Sequence, residues 1–367
     1  MSGQNAPGDS SGKDRVFSRF GMLFIGVLFV IFVSIFQFIL TEGIFTQEIT
    51  NAGDSIDVWN YLCVFIASLI SLPIIAILKH VLFPSPESGS RTEGKAISER
   101  KEPSPEISPR TEITRQFSIF LIPKNEMFSQ LKHALLMWLV IFVPLDFISY
   151  LIPGELEFEA KGLYVPALQE GLYLTVASFS GFFVLSVIMH FFVASSEEIR
   201  FRGVFQYLNQ EKVGVTSAVV ISAIFFGLSH FNYWFSDTTQ SIFYPLWWAA
   251  SGIFVGIILS LYIKTTGRIW PMIIAHWWNN VVSTITIWTF LPTRDATHTI
   301  STVALNLYLP LIAVGIILAL LWRRTIINAA TIAQQEIKTY LRQPHMIILL
   351  DLVFGIGIWA IFSFIFL

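Results

Sequence analysis

Three groups of polar residues set in apolar surroundings carry the chemical potential of this sequence. The first is Ser195-Ser196-Glu197-Glu198-Ile199-Arg200-Phe201-Arg202-Gly203. On a helix Glu198 and Arg202 stand at i and i+4 and share a face, so they can pair. Glu197 is rotated by about 100° from Glu198 and, at i+5, is a poorer partner for Arg202. The two carboxylates therefore separate into an arginine-paired one and one free to face a cavity, where it could serve as a general base. The second group is Phe225-Phe226-Gly227-Leu228-Ser229-His230-Phe231-Asn232, which puts Phe226 and His230 on one face. The third is His276-Trp277-Trp278-Asn279-Asn280. There His276 and Asn280 present an imidazole and a carboxamide side by side, as an oxyanion-binding pair would.

Each group taken alone also fits a structural role: a snorkelling charge cluster, a packed histidine, a helix-to-helix hydrogen bond. What sets them apart is the company they keep. Of the 367 residues 54% are hydrophobic, only 13% are charged, and 34 are Phe. A soluble domain is nearer about 25% charged, so lipid is the main solvent and ionisable residues inside spans are costly. The net charge of −2 decides nothing, and the single Cys63, in an apolar run, offers no disulfide framework.

Stretches of about 20 apolar residues predict an all-α polytopic bundle of eight or nine spans: 17–40, 59–83, 131–153, 172–194, 215–235, 241–263, 269–291, 302–322 and 345–367. The first follows Lys13, Arg15 and Arg19 but is too long for a signal peptide and reads as a retained helix. The domain reading is a disordered cytoplasmic tail at 1–16, two helices at 17–83, and a polar cytoplasmic linker at 84–130. A catalytic membrane domain at 131–322 has its motif core at 170–291; a surface helix at 323–344 and a last span at 345–367 follow.

Loop charges orient the chain. The 41–57 and 154–171 loops are acidic, whereas Lys and Arg cluster in the linker, after the fourth span, at Lys264 and Arg268, and at Arg323 and Arg324. Basic loops at every second turn place the N-terminus in the cytoplasm. Short loops and no organellar targeting segment suit a bacterial plasma membrane. Lipids are the surrounding partner, and nothing points to nucleic acid.

The ordered set Glu197-Glu198 with Arg202, Phe226 with His230, and His276 with Asn280 resembles the CPBP family, which contains type II CAAX prenyl endopeptidases and bacterial immunity-type relatives. The motifs EExxxR, FxxxH and HxxxN are all present, over about residues 170–291. The resemblance implies an intramembrane endopeptidase acting on a membrane-associated or lipidated peptide or protein, on the cytoplasmic side. Carried over, Glu197 activates water, His230 assists, His276 and Asn280 bind the oxyanion, and Glu198, Arg202 and Phe226 support them. A mechanism without metal is favoured; if the chemistry is metal-dependent, Glu197, His230 and His276 form a zinc set with one open position. A non-proteolytic partner such as a bacteriocin-immunity-type protein, or a transporter, are the other classes considered. The absence of an internal repeat speaks against the transporter.

The span limits pose a geometric problem. They put Glu197 at the cytoplasmic edge, His276 about 10 Å inside and His230 about 22 Å inside. For these to meet, either the fifth helix starts well outside the bilayer or the fourth runs on through Glu197 toward Tyr207; the stretch 203–208 can continue the helix, so the latter is expected at least in part. Elsewhere, Asp146 and Asp351 are expected to bond neighbouring helices or line a polar path, and His190 to stand behind the site. His80 and His133 are expected at interfaces, and Trp247, Trp248, Trp277 and Trp278 at interfaces or cavity walls.

Overall fold

The computed structural model describes residues 12–45, 56–83, 117–161, 178–232 and 241–366. The tail up to residue 11, the linker from 84 to 116 and the first residues of the 172–194 span lie outside them.

Among the described residues every regular element is helical. In chain order these are α1 (Gly12–Phe38), α2 (Ile56–Leu82) and α3, which runs from Met127 through a wider turn at Trp138–Phe142 to Tyr150. A short helix at 155–161 follows. Next come α4 (Phe179–Glu198, continued through a π-helical stretch at Ile199–Tyr207), α5 (Val215–Ser229), α6 (Phe243–Thr266) and α7 (Trp270–Thr293). The chain finishes with α8 (Ala296–Leu321), α9 (Arg323–Leu341) and α10 (His345–Phe366). Eight of the described helices are long and apolar enough to cross a membrane. The chain is thus a polytopic helical membrane bundle.

The expected seventh span, α7, is 24 residues long but is not among those eight. It carries His276, Asn279 and Asn280, and it buries His276, Ser283, Thr284 and Thr286 against protein. A helix enclosed by other helices need not be apolar all round, because its polar groups find protein partners rather than lipid.

The fourth helix departs most from its expected limits. Hydropathy ends it at 194, yet it continues to Val213 as a 35-residue unit. Its charges explain this. Glu198 and Arg202 are fully buried and paired with each other at 3.3 Å, so the polar stretch is interior rather than a loop at the membrane edge. Gly214 then turns the chain at φ 89°, a conformation glycine adopts without the Cβ penalty, and α5 returns antiparallel.

Two apolar clusters flank α4. One joins α1, α2, the second half of α4, α5 and α10 around Phe29, Phe201, Phe205 and Phe225. The other joins α3, the first half of α4, α7 and α8 around Tyr150, Phe182, Phe290 and Tyr308. The glutamate pair sits where they meet. Arg19 of α1 donates to Asp351 of α10 at 2.8 Å, both side chains being buried, and the Tyr340 hydroxyl donates to the same carboxylate at 3.1 Å. Asp351 thus bonds a neighbouring helix, one of the two alternatives expected for it.

The α5–α6 contact fixes the position of His230. A Cβ on Gly227 would lie 2.4 Å from the Ala249 carbonyl oxygen, and one on Gly252 would lie 2.9 Å from the Gly227 Cα. The missing Cβ atoms at these glycines let the two backbones come so close. Gly227→Ala should therefore force the helices apart, lowering stability by about 1–3 kcal/mol and displacing His230; thermal unfolding in detergent checks the first effect.

Candidate active site

The Gly214 turn resolves the depth problem. Glu197, back along α4, and His230, forward along α5, stand nearly equally far from it, roughly 25 Å at about 1.5 Å per residue. The extension of α4 beyond residue 194 makes this possible. The start of α7 is pinned separately. Arg268 donates to the Ser118 carbonyl and the Glu126 carboxylate, the Ile269 N–H to the Ile119 carbonyl, and the Trp270 indole to the Phe120 carbonyl. This clamp holds α7 against the beginning of α3 and sets the height of His276.

His276 is the hub. Its Nδ1 donates to Glu198 Oε1 at 2.9 Å, and its Nε2 lies 3.6 Å from Glu197 Oε2. The ring is sandwiched between Phe142, nearly parallel at 6.0 Å, and Phe226, nearly perpendicular at 5.9 Å. The Arg202 guanidinium lies over the Phe226 ring, 4.1 Å from its centroid. A chain of contacts thus runs from Arg202 to Glu198 to His276, and Phe226 closes it sideways. The buried carboxylate fixes the tautomer: with Nδ1 protonated toward Glu198, Nε2 is left to exchange a proton with a reacting group.

Glu197 differs from Glu198 as its helix face requires. Its side chain is 31% exposed, whereas that of Glu198 is fully buried. His230 bonds through Nδ1 to the Phe226 carbonyl at 3.0 Å and packs on Trp248. His230, His276 and Asn280 line one cavity of about 140 Å³. The lining of that cavity does not include Glu197, which meets it through His276.

The glutamate–histidine set does not form a metal-ligand cluster. Among the described residues no three His, Cys, Asp or Glu side chains stand together as an ion would require.

Other polar residues found partners. His190 bonds Thr284 of α7 at 2.7 Å behind the site. His133 bonds the Tyr262 hydroxyl at 2.7 Å, tying α3 to α6. Of the four tryptophans, Trp248 lines the cavity; Trp277 donates to the Val187 carbonyl and Trp247 to Ser149. Asp146 accepts from the Tyr308 hydroxyl at 2.6 Å and also faces the cavity.

Two residues absent from the sequence expectations join it there, Glu155 and Glu159. They are four apart on the 155–161 helix, a spacing that marks one face. In the sequence the acidic character of the 154–171 loop bears only on the orientation of the chain. Burial, with the Glu159 charge adding to it, pushes the Glu155 carboxyl up to about 8, and burial raises Glu159 as well. Unfolding returns Glu155 to the ordinary carboxylate range, so between that range and about 8 the folded state binds the proton more tightly. Stability should therefore fall as pH rises through this window. Thermal unfolding midpoints measured from about pH 5 to about pH 8 should drop in the parent and drop less in Glu155→Gln.

Comparison with known families places this geometry. No curated protein and no solved structure matches the chain. Residues 179–282 match a family model, Type II CAAX prenyl endopeptidase Rce1-like. The matched segment contains Glu197, Glu198, Arg202, Phe226, His230, His276 and Asn280. By that match, the segment that carries the site is similar to the Rce1-like type II CAAX prenyl endopeptidases over about a quarter of the chain.

Proposed function

We propose that this protein is an intramembrane endopeptidase that hydrolyses a peptide bond of a membrane-associated, lipidated substrate by glutamate- and histidine-activated water. The observation that carries this reading is the His276 imidazole held between two carboxylates, 2.9 Å from buried Glu198 and 3.6 Å from part-exposed Glu197. Glu197 takes a proton from water as the water attacks the scissile carbonyl. The developing oxyanion is met by the Asn280 carboxamide and, once its Nε2 has taken up a proton, by His276 one turn away, with Glu198 behind the ring. His230, across the same cavity, helps to orient the water and relays the proton that Glu197 has taken up to the leaving amine, which returns Glu197 to its carboxylate as the amine departs. Arg202 pairs with Glu198 in its buried position at 3.3 Å. The N-terminus faces the cytoplasm in this reading, and the acidic loops face the other side.

The test is cleavage of a farnesylated peptide by the purified protein in liposomes, followed with and without a chelator. The expected result is cleavage at a rate the chelator leaves unchanged. Loss of activity on chelation, restored by zinc, would replace the metal-free mechanism with a metal-dependent one. Failure of the intact protein to cut any such peptide would remove the endopeptidase reading.

A further inference from the structure

The cavity that holds His230 and His276 has a second wall that the hydrolytic scheme leaves idle. Asp146 of α3 and Glu155 and Glu159 of the 155–161 helix face it, with Trp248 nearby. Two of these carboxylates have donors: Tyr308 donates to Asp146 at 2.6 Å and Ser283 to Glu159 at 2.9 Å. Glu155 is the exception. It is 3% exposed, and its Oε2 has no hydrogen-bond partner among the described residues. No lysine or arginine lines this cavity among the described residues.

A buried polar atom left without a partner costs free energy, and a carboxylate more than most. Three acidic groups in a cavity of about 140 Å³ call for a positive group supplied by whatever enters. The arrangement does not suit a bare metal ion, because no three ligands converge among the described residues. A cation that brings its own hydrogens meets the need. Trp248 in the lining supplies an aromatic ring, a kind of group that attracts an ammonium, and Leu145 and Val255 suit a methylene stem.

We propose that this wall is an ammonium-binding subsite that accepts a lysine side chain of the peptide substrate, with Glu155 as the principal acceptor. The proton that the empty carboxyl holds leaves to solvent as the ammonium arrives, so one buried ion pair forms. The identity of the ligand as a substrate rests on the endopeptidase reading; the ability to bind an ammonium does not.

The test uses the full chain in detergent micelles. N-acetylated hydrophobic peptides in which a single lysine is walked through each position, each paired with a norleucine twin, are titrated by calorimetry and assayed in parallel for cleavage. At one position lysine should bind about tenfold tighter than norleucine, the scale of one charge-assisted hydrogen bond. That ratio should collapse toward one in Glu155→Gln; should this variant not fold, Glu159→Gln serves the same purpose. A parent that binds lysine and norleucine alike at every position overturns the subsite, as does a ratio that survives the substitution. If lysine is preferred but no peptide is cut, the subsite stands and the endopeptidase reading fails. Cleavage without a lysine preference at any position has the opposite meaning.

Discussion

Replacing Glu197 by glutamine is expected to lower turnover of a lipidated peptide by about 10³-fold, within the range that a positioned general base contributes. The substitution preserves shape and removes only the group that accepts a proton. Glu197 is the carboxylate that Arg202 does not hold: the arginine pairs with Glu198, which is fully buried, while Glu197 stays 31% exposed beside His276 Nε2. The variant should therefore fold like the parent, and KM should change little, because binding does not depend on the proton. A variant that cuts at the parental rate would show that the base has been assigned to the wrong residue.

Replacing Arg202 by methionine should act through stability as well as activity. Arg202 is completely buried, 3.3 Å from Glu198 and stacked on Phe226 at 4.1 Å. Removing one member of a buried ion pair strands the other, which costs about 3–5 kcal/mol. Against a total stability of about 5–15 kcal/mol this is a large share, so the thermal unfolding midpoint in detergent should fall steeply. Activity should fall too, since Glu198 orients His276. The double variant Glu198→Gln with Arg202→Met should regain most of the stability and none of the activity. If the double variant were as unstable as the single one, the pair would not be what holds this part of α4 inside the bundle.

Much of the site could be read before any coordinates. Helical spacing alone separated Glu198 from Glu197 and paired the former with Arg202, and the structure shows that contact. It put Phe226 and His230 on one face, and they are in edge-to-face contact at 5.0 Å. The bond between His276 and Glu198 was not legible, because the residues lie 78 positions apart on different helices and no local period links them. Hydropathy alone stops α4 at 194 because it treats Glu198 and Arg202 as facing water, whereas they pair inside the bundle; the depths of the three groups already called for the helix to run on toward Tyr207, as it does. The same reasoning works in reverse for α7, whose polar residues weaken its membrane signal because they belong to the site. Glu155 and Glu159 escaped notice because their loop was weighed for the sign of its charge rather than for the face that i, i+4 spacing creates. The cavity runs from His276 toward the end of the bundle where α3 and α5 finish and α6 begins. On the loop-charge orientation that end faces away from the cytoplasm, whereas the family resemblance implies chemistry on the cytoplasmic side. A residue near mid-depth, as Glu197 is in a helix of 35 residues, can be reached from either face.

The most direct test of the central claim is mass spectrometry of a farnesylated peptide incubated with the purified full-length protein in liposomes, beside the Glu197→Gln variant at equal folded concentration. The account predicts a new fragment ending in a free carboxylate with the parent, and intact peptide retained by the variant. Intact peptide with both proteins, or the same fragment at the same rate from both, would contradict it.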